Sequence, residues 1–225
     1  MAGVRDVRSK SGGTVRIISG EWRSRKIEVP SEDRTRPMLD RVKAAVFDTL
    51  GSWYGTPGRL PPIVVADVFA GGGTLGLEAL SRGARAGVFF ESNGAVLNVL
   101  RRNLAKLGVG ARGAVEAVDA WSARLADLLL QYRCTLVFLD PPYHDAMDTG
   151  RHGKVMRLLD KLTPFARAMD DPLLVLHHPG NVSFEFSGLE AWSLHDLRRY
   201  GSTSIAFLDG VKPESSTQQA AEGSP

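Results

Sequence analysis

Four residues at positions 140–143, Asp-Pro-Pro-Tyr, combine groups that can hold and activate a planar amine. The prolines carry no amide hydrogen and stiffen the chain, so the Asp140 carboxylate and the Pro141 carbonyl form a fixed pair of acceptors. Tyr143 adds an aromatic face against which a flat heterocycle can lie. Two acceptors on the two hydrogens of an exocyclic NH2 group turn the nitrogen lone pair out of conjugation and toward an electrophile. Catalysis of that kind rests on positioning and electrostatics, with no strong base required. Asp140, Pro141, Pro142 and Tyr143 are the candidate catalytic residues.

A glycine-rich stretch upstream, Asp67-Val-Phe-Ala-Gly71-Gly72-Gly73-Thr-Leu-Gly76, has the residue types of a cofactor loop. Gly71, Gly73 and Gly76 satisfy GxGxxG, and Glu91 stands 20 residues beyond Gly71. Taken alone, that pattern suits NAD as well as S-adenosyl-L-methionine. Two features tip the balance: the Asp-Pro-Pro-Tyr of the fourth strand, and Asp67, because a carboxylate is awkward beside a pyrophosphate and comfortable beside a cationic amino-acid moiety. Glu91 and Asp119 end two further strands, so three successive strand ends carry an acid. In a nucleoside site Glu91 accepts from ribose hydroxyls, Asp119 and the adjoining backbone address the adenine amine, and Asp67 lies near the methionyl end. The candidate cofactor residues are Asp67, Phe69, Gly71, Gly73, Gly76, Glu91, Ser92, Asp119 and Ala120, with S-adenosyl-L-methionine as the cofactor.

These groups need a frame that brings strand ends to one edge. From Ile63 onward apolar runs and helical patterns alternate. Strands are expected at 63–69, 86–91, 114–118, 134–140, 172–178, 192–197 and 202–208, with helices near 74–81, 95–107, 120–131 and 154–165. Repeated βα units imply an α/β, Rossmann-like, mostly parallel sheet with helices on both faces. Ligands of such sheets sit outside the carboxyl ends of the strands, where every motif above falls.

Ahead of this frame lies a basic segment. Residues 1–45 carry 11 Lys+Arg against 6 Asp+Glu, while the remaining 180 carry 17 against 19. The asymmetry points to an anionic partner, with nucleic acid the leading candidate. Val15–Ile18 and Lys26–Val29 read as a small hairpin in which Arg16, Arg23, Arg25 and Lys26 surround Trp22. That arrangement suits phosphate contact with base stacking; equally, Trp22 can cap a small core. Arg34, Arg36 and Arg41 can reach over the site to phosphate or to the cofactor carboxylate, or serve as plain surface charge. Asp40 is placed to cap a helix running to about Ser52. The expected organisation is a flexible leader (1–14), a basic RNA-binding extension (15–54), the main domain (55–210) after a Gly/Pro-rich joint at 55–62, and a disordered tail (211–225).

The 225 residues, 43% hydrophobic and 24% charged, suffice for a core without staples. The lone Cys134 excludes an intramolecular disulfide framework and reads as inert packing, and His177-His178 has no matching ligand set, so no metal is expected. Without a signal peptide or an apolar span, a cytoplasmic monomer free of the membrane is the expectation. Beyond Tyr143, His144 and Asp145 are read either as part of a substrate-closing loop or as disorder.

DVFAGGGTLGLEALSRGA followed by LDPPY resembles the class I S-adenosylmethionine-dependent amino-methyltransferases. More closely, together with VRIISGEWRSRKI, TRPMLDRVKAAVFDTL and RRYGSTSIAFLDG, it resembles the RsmD family of bacterial 16S rRNA guanine-N2 methyltransferases. The resemblance runs over roughly residues 15–209. It implies a seven-stranded methyltransferase sheet with an N-terminal β-hairpin and helix that help hold RNA. It also implies a cofactor at the glycine loop, Glu91 and Asp119, and a target base at Asp140 through Tyr143. The expected partner is 16S rRNA or a small-subunit assembly intermediate. The chain departs from its relatives at Met38-Leu39, where small hydroxylated residues are usual. Methylation of adenine or cytosine in DNA, or of a protein glutamine, uses the same motif; an NAD-dependent dehydrogenase uses the same glycine pattern.

Overall fold

The computed structural model describes residues 13–30 and 38–212. The expected leader and tail fall outside these except at their inner ends, and so do Arg34 and Arg36.

Strands β1 (Thr14–Arg16) and β2 (Lys26–Glu28) pair antiparallel, with Val15 opposite Ile27. Helix α1 (Asp40–Trp53) follows. Then β3 (Val64–Val68), α2 (Thr74–Ser81), β4 (Ala86–Phe90), α3 (Gly94–Leu107) and β5 (Gly113–Glu116) alternate. After them come α4 (Arg124–Gln131), β6 (Leu136–Leu139), α5 (Lys154–Lys161), α6 (Thr163–Ala168) and β7 (Leu173–Pro179). A final antiparallel pair, β8 (Trp192–Tyr200) and β9 (Thr203–Gly210), closes the chain.

The seven-stranded sheet has the order β5-β4-β3-β6-β7-β9-β8. Strands β3 to β7 are parallel, while β9 runs antiparallel to both of its neighbours. The central parallel strands β3 and β6 are short and buried along their whole length, as cover by crossover helices on both faces requires, while β5 at the sheet edge is only half-buried. Alternation along the strands separates two cores. Val64, Ala66, Val68, Val137 and Leu139 pack with α4, α5 and α6, whereas Val65, Leu136 and Phe138 pack with α1, α2 and α3. Among the described residues no helix is long and apolar enough to cross a membrane.

Three local expectations are corrected. The helix expected at 154–165 is two helices, because Pro164 at the start of α6 has no amide to continue α5. The helix expected at 120–131 begins only at Arg124. Asp40 does not cap α1: the capping position is Leu39, which has no side-chain acceptor, and Asp40 instead pairs with Arg16 at 2.8 Å.

The hairpin is built into the core and not strung from it. Ile17, Trp22 and Ile27 share one apolar cluster with Val46, Leu77 and Phe89. Buried Glu78 of α2 accepts the backbone N–H of Ile18 (2.8 Å) and Ser19 (3.1 Å). It also pairs with the buried cations Arg82 (2.8 Å) and Lys43 (3.7 Å). Asn103 of α3 accepts from Glu28 N–H and donates to the carbonyls of Glu28 and Gly72, stitching β2 to the glycine loop. A Cβ at Gly72 would stand 2.6 Å from the Glu28 carbonyl oxygen, so glycine is what permits this approach.

Candidate active site

The sheet's topology reverses between β3, which leads on to β4, and β6 on its other side. Loops leaving these two neighbours diverge and open a crevice above their carboxyl ends. Phe69, the first residue past β3, has φ +64°, a left-handed conformation costly for an aromatic residue, and Gly71 follows at +53°. The sharp turn carries the loop up and around the crevice.

Two cavities occupy it. One, of about 630 Å³, is walled by Gly71, Glu91, Ser92, Asp119, Ala120 and Trp121. The other, of about 810 Å³, is walled by Val29, Met38, Gly72, Pro141, His177, His178, Asn181, Arg199 and Thr203, among others. Phe69, Asp140 and Tyr143 line both. The candidate catalytic motif is thus the partition between two chambers.

In the first chamber Glu91 accepts from Gly71 N–H (3.1 Å) and from Ser92 and Asn93 N–H (2.8 Å each), which fixes its carboxylate at the chamber wall. Asp119 accepts from Trp121 N–H at 3.0 Å, and the Trp121 ring lies 4.7 Å from that of Phe69. Among the described residues this chamber is lined by acids and aromatic faces, with no Arg or Lys. That donor set fits a nucleoside carrying a cationic group and is ill-suited to the pyrophosphate of NAD.

Three residues expected to bind cofactor directly do something else. Asp67 lies on the α2 side of β3 and accepts from Gly76 N–H at 2.8 Å, so it braces the start of α2 instead of lining a chamber. Burial pushes its carboxyl up to about 8, against the opposing pull of that hydrogen bond. A side chain at Gly76 would collide with the Phe89 ring, and one at Gly73 would lie 2.7 Å from Leu100, so both glycines serve helix packing. Only Gly71 of the three faces the first chamber.

Tyr143 is 53% exposed and free to stack. Asp140 has a partner that sequence reasoning set aside: His177 Nδ1 lies 2.6 Å from Asp140 Oδ1, and His177 Nε2 lies 2.8 Å from Thr203 Oγ1. Burial alone would lower the proton affinity of His177, but the Asp140 charge and hydrogen bond outweigh it and hold the imidazole above its ordinary value. His178 turns away, with Nδ1 at 2.9 Å from the Pro179 carbonyl, and burial pushes it down. Arg199 and Thr203 were also missed, since only the register of β7, β8 and β9 brings them to this edge, as was Asn181 in the loop after β7. Beyond Tyr143 the chain is pinned: buried Asp145 donates its N–H to Pro142 and pairs with Lys154 at 2.6 Å. Cys134 is fully buried, its thiol pushed up to about 12.

The basic hairpin divides. Arg23, Arg25 and Lys26 are exposed, with Arg25 donating to the Lys106 carbonyl, and Arg16 is held by Asp40. Trp22, however, is 3% exposed, beneath the Arg112 guanidinium at 5.0 Å. Its indole is part of the core and offers no face to a base, which corrects the stacking expectation. Arg41 reaches the rim of the second chamber, where a Cβ on Gly201 would stand 3.8 Å from its guanidinium.

Comparison with known proteins gives consistent results. The family model described as "Conserved hypothetical protein 95" matches residues 15–209. Ribosomal RNA small subunit methyltransferase D of Escherichia coli K12 is 41% identical over 135 residues, covering 58% of this chain and 61% of that protein. Its Haemophilus influenzae counterpart is 39% identical over 132 residues, covering 59% and 65%. The chain therefore spans a little under two thirds of the length of these relatives. Among solved structures, yhhF of Escherichia coli superposes with TM-score 0.65 at 29% identity, covering 88% of this chain and 98% of that one. A hypothetical protein of Thermus thermophilus, TTHA0928, superposes with TM-score 0.64 at 30% identity, covering 86% and 98%. The sheet order and the match across residues 15–209 leave one conclusion: the fold is that of the class I methyltransferases, and the chain belongs to the conserved hypothetical protein 95 family, the RsmD family its motifs resemble.

Proposed function

We propose that this protein transfers a methyl group from S-adenosyl-L-methionine to the N2 amine of a guanine in small-subunit rRNA. The observation that carries the reading is the meeting of two chambers at Asp140 and Tyr143. One chamber is walled by acids and aromatic faces; the other is flanked by Arg41 and Arg199. Small-subunit ribosomal RNA comes from the names of the relatives, and guanine N2 in 16S rRNA from the motif resemblance.

When bound, S-adenosyl-L-methionine supplies an electrophilic methyl group. Glu91 would hold ribose hydroxyls and Asp119 the adenine end, while Gly71 lets the backbone come close. On the other side Tyr143 would stack on a base drawn out of its strand. The Asp140 carboxylate and the Pro141 carbonyl would take the two amine hydrogens, leaving the nitrogen lone pair directed across the partition. Arg41 and Arg199 at the second chamber, with Arg23, Arg25 and Lys26 farther out, would hold the RNA backbone. The protein would act as a cytoplasmic monomer on 16S rRNA or on a small-subunit assembly intermediate.

The test is transfer of labelled methyl to unmodified small ribosomal subunits, protein-free 16S rRNA and DNA in parallel, with the modified nucleoside identified by mass. N2-methylguanosine is expected from an RNA acceptor. Label in DNA alone, or tighter equilibrium binding of NAD than of S-adenosylhomocysteine, would overturn the reading.

A further inference from the structure

The prolines at 141 and 142 stiffen the backbone after Asp140, but they leave its side chain free to rotate. A carboxylate that is 34% exposed at a chamber mouth would sample several rotamers unless something held it. Three adjacent strands supply the hold. Thr203, at the start of β9, reaches His177 near the end of β7, and His177 reaches Asp140 just past β6. Both ring nitrogens of His177 are engaged, so the ring cannot flip without breaking a contact. Both His177 and Thr203 face the second chamber.

We propose that His177 is a positioning residue for methyl transfer, holding Asp140 by one carboxylate oxygen so that the other is left for the acceptor amine. The inference rests on the function proposed above. Among the described residues Asp140 Oδ2 has no hydrogen-bond partner, while Oδ1 is taken by His177 Nδ1 at 2.6 Å. The Nδ1–H donates to the carboxylate whether the ring is neutral or charged. Thr203 Oγ1 donates to Nε2 in the neutral ring and accepts from it in the imidazolium.

The charge on the ring then tunes Asp140. The charged and titratable groups around His177 are Asp140 itself, His178 beside it on β7, and Arg199 on β8, which lines the same chamber. Asp140 keeps the imidazolium populated to higher pH than an isolated histidine would allow. While that positive charge persists, it draws electron density from the carboxylate and weakens it as an acceptor. Raising the pH through the His177 titration therefore strengthens Asp140, and kcat should rise.

The test compares wild type with His177→Ala, His177→Asn and Thr203→Val. It measures methyl transfer to the RNA acceptor that wild type uses, from about pH 6 to about pH 9. His177→Ala should lower kcat about 10- to 100-fold, the usual cost of a misplaced catalytic group, with KM for S-adenosyl-L-methionine within about twofold. In His177→Asn the amide nitrogen can donate from nearly the Nδ1 position, so most of kcat should return while the pH-dependent rise disappears. Thr203→Val should lose about threefold in kcat by loosening the ring, and it carries the test if His177→Ala fails to fold. A His177→Ala kcat within about twofold of wild type overturns the proposal. So does a His177→Asn variant that melts like wild type yet is as slow as His177→Ala. If wild type labels no acceptor, the reading beneath fails and this inference falls with it; normal wild-type transfer with unaffected variants sinks the positioning role alone.

Discussion

Replacing Glu78 with glutamine should loosen the basic hairpin without altering any residue proposed to touch RNA. Glu78 is fully buried, and its carboxylate serves four partners at once: the N–H groups of Ile18 and Ser19, the Arg82 guanidinium and the Lys43 ammonium. Lys43 and Arg82 are themselves only 2% and 4% exposed, so removing the negative charge leaves two buried cations with backbone carbonyls of Arg16 and Gly58 but, among the described residues, no carboxylate in contact. Breaking a buried pair from one side costs about 3–5 kcal/mol. For a chain of this size that corresponds to a fall in Tm of about 6–20 °C. The assay is urea denaturation of wild type and Glu78→Gln, with Asp40→Ala as a control that removes the solvent-exposed ion pair to Arg16. The control should lose no more than about 1 kcal/mol. Limited proteolysis should cut the Glu78→Gln hairpin between Gly20 and Lys26 first, because Ile18 and Ser19 lose their anchor. A Glu78→Gln loss below about 1 kcal/mol would show that the cations find other partners or water, and would refute the clamp.

Asp140→Ala should reduce methyl transfer by about two orders of magnitude or more, while the affinity for S-adenosylhomocysteine, measured by calorimetry, changes little because Glu91 and Asp119 are untouched. Arg23→Ala with Lys26→Ala should flatten the salt dependence of RNA binding by about 1.4–1.8 in log–log slope, since two cations no longer displace counterions from phosphate. An unchanged slope would return those residues to plain solvated surface. Asp67 is held neutral by burial, with a folded value of about 8 against 3.8 unfolded. Its contribution to stability is therefore complete below about pH 3.8 and lost as pH rises toward about 8. Asp67→Asn keeps an acceptor for Gly76 N–H and should be the more stable protein at about pH 8, by on the order of a few kcal/mol, with no advantage near pH 4. Equal stability at both pH values would mean that Asp67 is not buried as an acid.

Much of this architecture was legible because the parallel strands are short apolar runs punctuated by Gly, Pro or acid, and their ends carry the chemistry. The pairing of Asp140 with the glycine loop followed from that pattern alone. What remained hidden depended on register or on packing. His177 sits in the sequence beside His178 with nothing to distinguish them; only alignment of β7 against β6 turns the first toward Asp140 and the second away. Trp22 among four cations reads equally as a stacking platform or as the cap of a small core, because sequence cannot tell a ring that covers a core from one that faces solvent. Gly73 and Gly76 fit a cofactor fingerprint while serving the contact between α2, α3 and β4. The missing cap on α1 follows from Leu39, and Asp40, one position too late to cap, found Arg16 instead.

The two chambers meet at the Phe69–Asp140–Tyr143 partition and are otherwise lined by different residues, so under the proposed function cofactor and base would occupy separate sites. On the proposed function, cofactor and RNA would then associate in either order, and spent cofactor would leave while the modified strand is still held. The enzyme would not be committed to a compulsory sequence of arrivals.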